Sequence, residues 1–145
     1  MDIMTKYFGQ LSFEENEIIC FDDGLFGFDE LHKFALIRFD NENGNMLCLQ
    51  SLDKSEIAFT IINPFAFIPD YKPCPAEYDL KKIGLSNEKE ALFYNVCVIH
   101  DKIKESTVNM RCPIVINIDN RKAVQVVLDG NYSFKHPFID LIKEE

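Results

Sequence analysis

The chain has 145 residues, 47% of them hydrophobic and 27% charged, and a formal net charge of −9. That length suits one domain, 1–145, with a core of its own, and that composition excludes a disordered chain. The charge repels phosphate backbones and argues against direct nucleic-acid binding.

In chain order, short segments rich in β-branched and aromatic residues predict strands at 6–12, 17–21, 34–39, 46–52 and 57–63. A run of Asn and Gly at 41–45 predicts a hairpin turn, because both residues accept positive φ at low cost. Residues 63–75 hold four prolines and predict a rigid, irregular connection, since proline lacks the ladder donor. Short helical turns are expected at 75–83, stopped by Gly84, and at 86–90, capped by Ser86. Strands follow at 92–99, 106–111, 114–118 and 122–128, with tight turns at Asp119-Asn120 and Asp129-Gly130-Asn131. A last helical turn is expected at 137–143, opening on a proline. The fold class is therefore mainly all-β: a single small β-barrel-like domain of short antiparallel strands with one or two short helical turns. Closure would hide the strand edges.

Asp22-Asp23-Gly24-Leu25-Phe26-Gly27-Phe28 stands out. Two glycines flank large apolar residues directly after a carboxylate pair, which reads as a fixed turn aiming its aromatics. They either plug the core or form a binding surface. The acids are unevenly spread: residues 1–50 carry ten against Lys6, Lys33 and Arg38, a net of −7. This is either a solvated face or one that steers a cationic partner.

The five cysteines, Cys20, Cys48, Cys74, Cys97 and Cys112, form no C-x-x-C pair. They read as reduced thiols used as small hydrophobes, which points to the cytosol. The N-terminus offers no apolar signal core, and no apolar run approaches the roughly 20 residues that cross a bilayer. His32, His100 and His136 have no metal-ligand spacing, and phosphate-cradling glycine loops are missing. The residues therefore suggest no metal, cofactor, membrane or small-molecule substrate. A small thiol enzyme built on Cys112 or Cys97 stays open as an alternative.

Thr107 and Asn109 fall on one face of an expected strand, Val108 and Met110 on the other. With Asn117 and Gln125 they are polar residues inside apolar strands. They either tie strands to loops or line a groove that captures an extended peptide or helix.

Read together, these residues resemble the FliW family of flagellar assembly factors over nearly the whole chain. The resemblance runs through Thr5-Lys6-Tyr7-Phe8-Gly9, Phe21, Gly24-Leu25-Phe26-Gly27-Phe28, Phe34-Ala35-Leu36-Ile37 and Leu49-Gln50-Ser51-Leu52. It continues in Phe59, Asn63-Pro64 and Pro69-Asp70-Tyr71, and is strongest over Thr107-Val108-Asn109-Met110-Arg111-Cys112-Pro113-Ile114-Val115-Ile116-Asn117. Arg121, Gln125-Val126-Val127-Leu128 and Tyr132 close it. At the positions of Met110 and Cys112, relatives often carry leucine and alanine.

The resemblance implies a β-barrel-like, non-enzymatic cytoplasmic protein, monomeric when unbound. Such a protein binds flagellin and, when free of it, binds the translational repressor CsrA and relieves repression of flagellin messenger RNA. The partner-contacting residues expected on this reading are Asp22, Asp23, Phe26, Phe28, Asn63, Pro64, Phe65, Tyr71, Asn109 and Pro113, with Phe67 beside the aromatics. An all-β module with a different protein or peptide ligand is the other alternative.

Overall fold

The computed structural model describes residues 1–39 and 45–143. Eleven strands are present among them: β1 Asp2–Met4, β2 Gln10–Ser12, β3 Ile18–Phe21, β4 Lys33–Arg38, β5 Met46–Ser51, β6 Ala58–Ile62, β7 Leu92–Val98, β8 Thr107–Val108, β9 Ile114–Asn117, β10 Lys122–Gln125 and β11 His136–Pro137. Three short α-helices join them: α1 Pro64–Phe67, α2 Glu77–Lys82 and α3 Phe138–Lys143. The expected turn at 41–45 lies, apart from Asn45, outside the described residues.

Strands β7, β6, β5, β4, β3, β10 and β9 follow one another, and β9 pairs back onto β7, so seven strands close a barrel. The pairing of β3 with β10 is parallel, through Cys20 beside Lys122 and Phe21 beside Ala123; the other pairings are antiparallel. The small hairpin of β1 and β2 stands outside the barrel sheet.

Alternation along the strands builds two cores. Ile19, Phe21, Phe34, Leu47, Leu49, Ile61, Ile114 and Ile116 pack as one cluster, with Tyr94 and Val96 of β7 against it. Phe93 and Cys97, the alternate residues of β7, face a second cluster, formed with Tyr71, Leu80, Ile83, Leu85, Met110 and Leu141. The long connection after β6 and the C-terminal segment thus cover one flank of the barrel.

Sequence differs from structure chiefly at two strands. The expected strand at 6–12 is instead β2, preceded by a bend in which Thr5 accepts from the Phe8 amide and donates to Gly9 O. The expected strand at 106–111 stops at Val108. Cys97 pairs with Val108 and Tyr94 with Ile114, so residues 95–96 of β7 face 109–113 opposite. The three extra residues make an enlarged bulge.

The connection at 63–75 contains α1, which Asn63 caps by accepting from the Phe65 amide at 3.1 Å, with Pro64 at its first position. Helix α2 carries Glu77 and Asp79 in its first turn and Lys81 and Lys82 in its last, matching the helix dipole. Gly84 stops it as expected. Its φ is +79°, its amide donates to Lys81 O, and Leu85 donates to Leu80 O. At 86–90 the structure has a 3-10 turn at Glu88–Glu90, capped by Asn87 rather than Ser86.

Candidate interaction site

Gly24 sets the geometry of the 22–28 segment. Its φ is +70°, and a β-carbon there would lie 2.6 Å from the carbonyl oxygens of Phe28 and Asp29. Leu25 and Phe28 exchange backbone hydrogen bonds at 2.7 and 3.2 Å, closing the turn. Leu25 is buried in the barrel core, and Phe28 meets Phe59 edge to face at 5.2 Å. Phe26, between them, is 53% exposed. The segment therefore does both of the things expected of it: it plugs the barrel and presents an aromatic.

The 109–113 bulge lies opposite. Asn109 donates its amide to Val96 O at 2.9 Å, keeping the ladder, while its Oδ1 accepts from the amides of Arg111 and Cys112 at 3.1 and 2.9 Å. An Asn side chain satisfies a turn of this kind locally. Asn95 Nδ2 donates to Asn109 O at 2.8 Å, and the Tyr71 hydroxyl donates to Met110 O at 2.6 Å. The C-terminal segment is tied to the bulge as well: Met110 and Leu128 donate to Ser133 O and Arg111 O, and the Arg111 guanidinium lies 5.1 Å from the Phe134 ring centre.

Phe26 and, from the bulge, Asn109 line a groove of about 300 Å³. Leu25, Phe59 and Val96 are apolar lining; Val98, Thr107, Asn109 and Gln125 line it too, and Phe134 and Lys135 complete it. Gln125, itself a lining residue, ties the Phe26 turn to the bulge, accepting from Phe26 N at 3.0 Å and donating to Cys112 O at 3.1 Å. Exposed Phe26, Phe134 and Val98 beside Thr107 and Asn109 give an apolar trough with polar handles. Such a surface suits an apolar-faced protein segment.

Of the residues expected at a partner surface, the structure brings Phe26 and Asn109 together here, with Phe28 packed beneath. Phe65 belongs elsewhere: it meets Tyr71 and Phe93, both at 6.0 Å, and Tyr71 meets Tyr132 at 4.9 Å. Tyr71 is buried, and burial pushes its hydroxyl up to about 12. Asn63 and Pro64 start a helix, and buried Pro113 gives its carbonyl to Val126 N at 3.0 Å. Phe67 lines a separate apolar groove of about 770 Å³ with Tyr7, Met46, Thr60 and Ile99. The expected single aromatic surface is thus divided. Asp22 and Asp23 are exposed, and Asp23 lies 3.4 Å from Lys82 across another shallow pocket.

Sequence reasoning did not nominate Phe59, Val96, Val98, Phe134 or Lys135. Phe59, Val96 and Val98 read as ordinary strand residues, because only barrel curvature opens a trough between them. Phe134 sits in a segment without periodicity.

Three cysteines are sealed off. Cys48, Cys97 and Cys112 are buried, and burial raises all three thiols, to about 11 for Cys48 and about 12 for Cys97. Protonated thiols out of contact with solvent are poor nucleophiles. Among the described residues no group of three His, Cys, Asp or Glu could hold a metal ion, and no helix is long and apolar enough to cross a membrane.

The sequence pattern of the family described as FliW protein matches residues 2–139. The chain belongs to the FliW family. The flagellar assembly factor FliW of Caldanaerobacter subterraneus subsp. tengcongensis is 37% identical over 145 residues, covering 99% of this chain and 96% of that protein. The FliW of Thermotoga neapolitana is also 37% identical, covering 99% and 94%. A crystal structure of the flagellar assembly factor FliW superposes with a TM-score of 0.87 at 30% identity, covering 95% of this chain and 96% of that one. These FliW relatives are named as assembly factors and not as enzymes.

Proposed function

We propose that this protein works in flagellar assembly by binding flagellin in the cytoplasm and that, when free of flagellin, it binds CsrA and lifts repression of flagellin messenger RNA. The protein acts as a switch between two protein partners, without catalysis, and is a monomer when unbound. The observation that carries this reading is the groove between Phe26 and the 109–113 bulge. The 24–28 segment and the 107–117 block, both part of the resemblance to FliW, meet there, in a chain whose residues 2–139 match the family.

A flagellin segment with an apolar face would place its side chains against Phe26, Val98 and Phe134, and its polar edge against Thr107 and Asn109. Aromatic anchors of this kind dominate interface energies. The acidic residues near the N-terminus, Asp22 and Asp23 among them, supply the field for a basic repressor surface, which mainly raises association rate.

Calorimetric titration of the purified protein with monomeric flagellin tests the first half. The wild type binds, and Phe26→Ala weakens binding by about 1–3 kcal/mol while leaving thermal stability unchanged, since the ring is exposed. Absence of wild-type binding defeats the proposed function. Equal binding by the variant, within about 0.5 kcal/mol, moves the site elsewhere.

A further inference from the structure

Gln125 ends β10 as a buried polar side chain, 9% exposed, and uses both ends of its amide. Oε1 accepts from Phe26 N and Nε2 donates to Cys112 O, at 3.0 and 3.1 Å. These partners are 99 and 13 residues away in sequence: the first lines the groove, and the second is buried in the 109–113 bulge, whose Asn109 lines it. Both partners belong to turns: one is closed between Leu25 and Phe28, the other is the bulge that interrupts the pairing with β7. Strand pairing fixes β10 through Ala123 and Val124, so its last side chain is held by the barrel while both turns hang from it.

We propose that Gln125 is the positioning residue of the groove: its amide sets the separation of Phe26 from the 109–113 bulge and thereby holds the trough open for a protein segment. The inference rests on the reading that this groove takes flagellin. Its chemistry is specific. The amide must offer an acceptor to an N–H and a donor to a carbonyl at once, which a primary amide does and an apolar side chain of the same length cannot. Asparagine keeps the amide but is one methylene too short to span both partners. With the span broken, the turn of Phe26 keeps its own closing bonds but its spacing from the bulge would be set only on binding, and that ordering lowers affinity.

The test uses Gln125→Met and Gln125→Asn in the full chain, read by amide hydrogen exchange and by calorimetry with monomeric flagellin. In either variant the Phe26 amide exchanges at least about tenfold faster while the amides of β5 and β6 stay protected. Flagellin affinity falls about tenfold. In a Phe26→Ala background the Gln125 substitution costs no further affinity, because it acts through that residue. An unchanged Phe26 exchange rate overturns the proposal, as does unchanged affinity in a wild type that binds, or a fully additive double variant. If the wild type does not bind flagellin, the flagellin reading falls, and the Phe26 exchange rate alone decides whether Gln125 positions the groove. Should Gln125→Met not fold, Gln125→Asn gives the same readouts with a smaller change of polarity.

Discussion

Tyr71 gives its hydroxyl proton to the Met110 carbonyl 2.6 Å away, inside a cluster that water does not reach. A residue that looks like an exposed anchor in the sequence therefore works as an internal strut, because an aromatic with one polar atom is most useful where that atom finds a fixed partner. Asp79 shows the opposite case. It is buried, and desolvation raises its carboxyl, with Lys82 lowering it in part and Asp23 raising it further. An acid whose folded pKa is raised holds its proton more tightly when folded, so stability is lost as pH climbs through and above the ordinary value of 3.8. Asp79→Asn is therefore expected to raise the melting temperature at pH 7, with the gain shrinking as pH falls through the raised folded value towards 3.8 and staying flat below it, measured by thermal melts across pH. A gain independent of pH, or a loss, would contradict the assignment. The cysteines allow a second check. With Cys48, Cys97 and Cys112 buried and their thiols raised, a thiol reagent at neutral pH should label exposed Cys74 rapidly and those three only after unfolding. Rapid labelling of Cys97 or Cys112 in the native protein would reopen the thiol-enzyme reading.

Among the elements, the 109–113 bulge decides how the candidate site forms. Asn109 supports it with two backbone donors on one oxygen, and Met110 is buried beneath it. Asn109→Ala leaves those two amides to water and should cost about 1–2 kcal/mol, read by chemical denaturation. It should also weaken flagellin binding by about as much as Phe26→Ala does, if both walls serve one groove. The strands themselves were legible in the sequence as short β-branched and aromatic runs between turn residues, although only β7 alternates clearly while β5 and β9 are buried on both faces. The bulge was not. Thr107, Val108, Asn109 and Met110 keep the polar–apolar alternation of a strand, and the burial pattern keeps it too, so periodicity carried no sign that the pairing breaks after Val108. The turn chemistry of Asn109 and the exit at Pro113 were the available signals. The division of the aromatics was equally hidden: Phe26 in its turn and Phe65 in α1 are both exposed, and only the fold assigns their neighbours to different clusters.

For the whole molecule, closure of the barrel by β7 and β9 places the candidate groove where turns and the C-terminal segment meet. Charge adds a long-range component, since the net of −9 is concentrated in the first 50 residues. Association with a basic repressor should slow several-fold between about 0.05 and 0.5 M salt, measured by stopped flow, and a salt-independent rate would remove the acidic face from the account. The central claim is that one protein serves two partners in alternation. Its most direct test is calorimetric titration with CsrA, first of the free protein and then of the protein saturated with flagellin. The account predicts binding to the free protein and loss of that binding once flagellin is in place. Equal CsrA binding in both titrations, or no CsrA binding to the free protein, would contradict it.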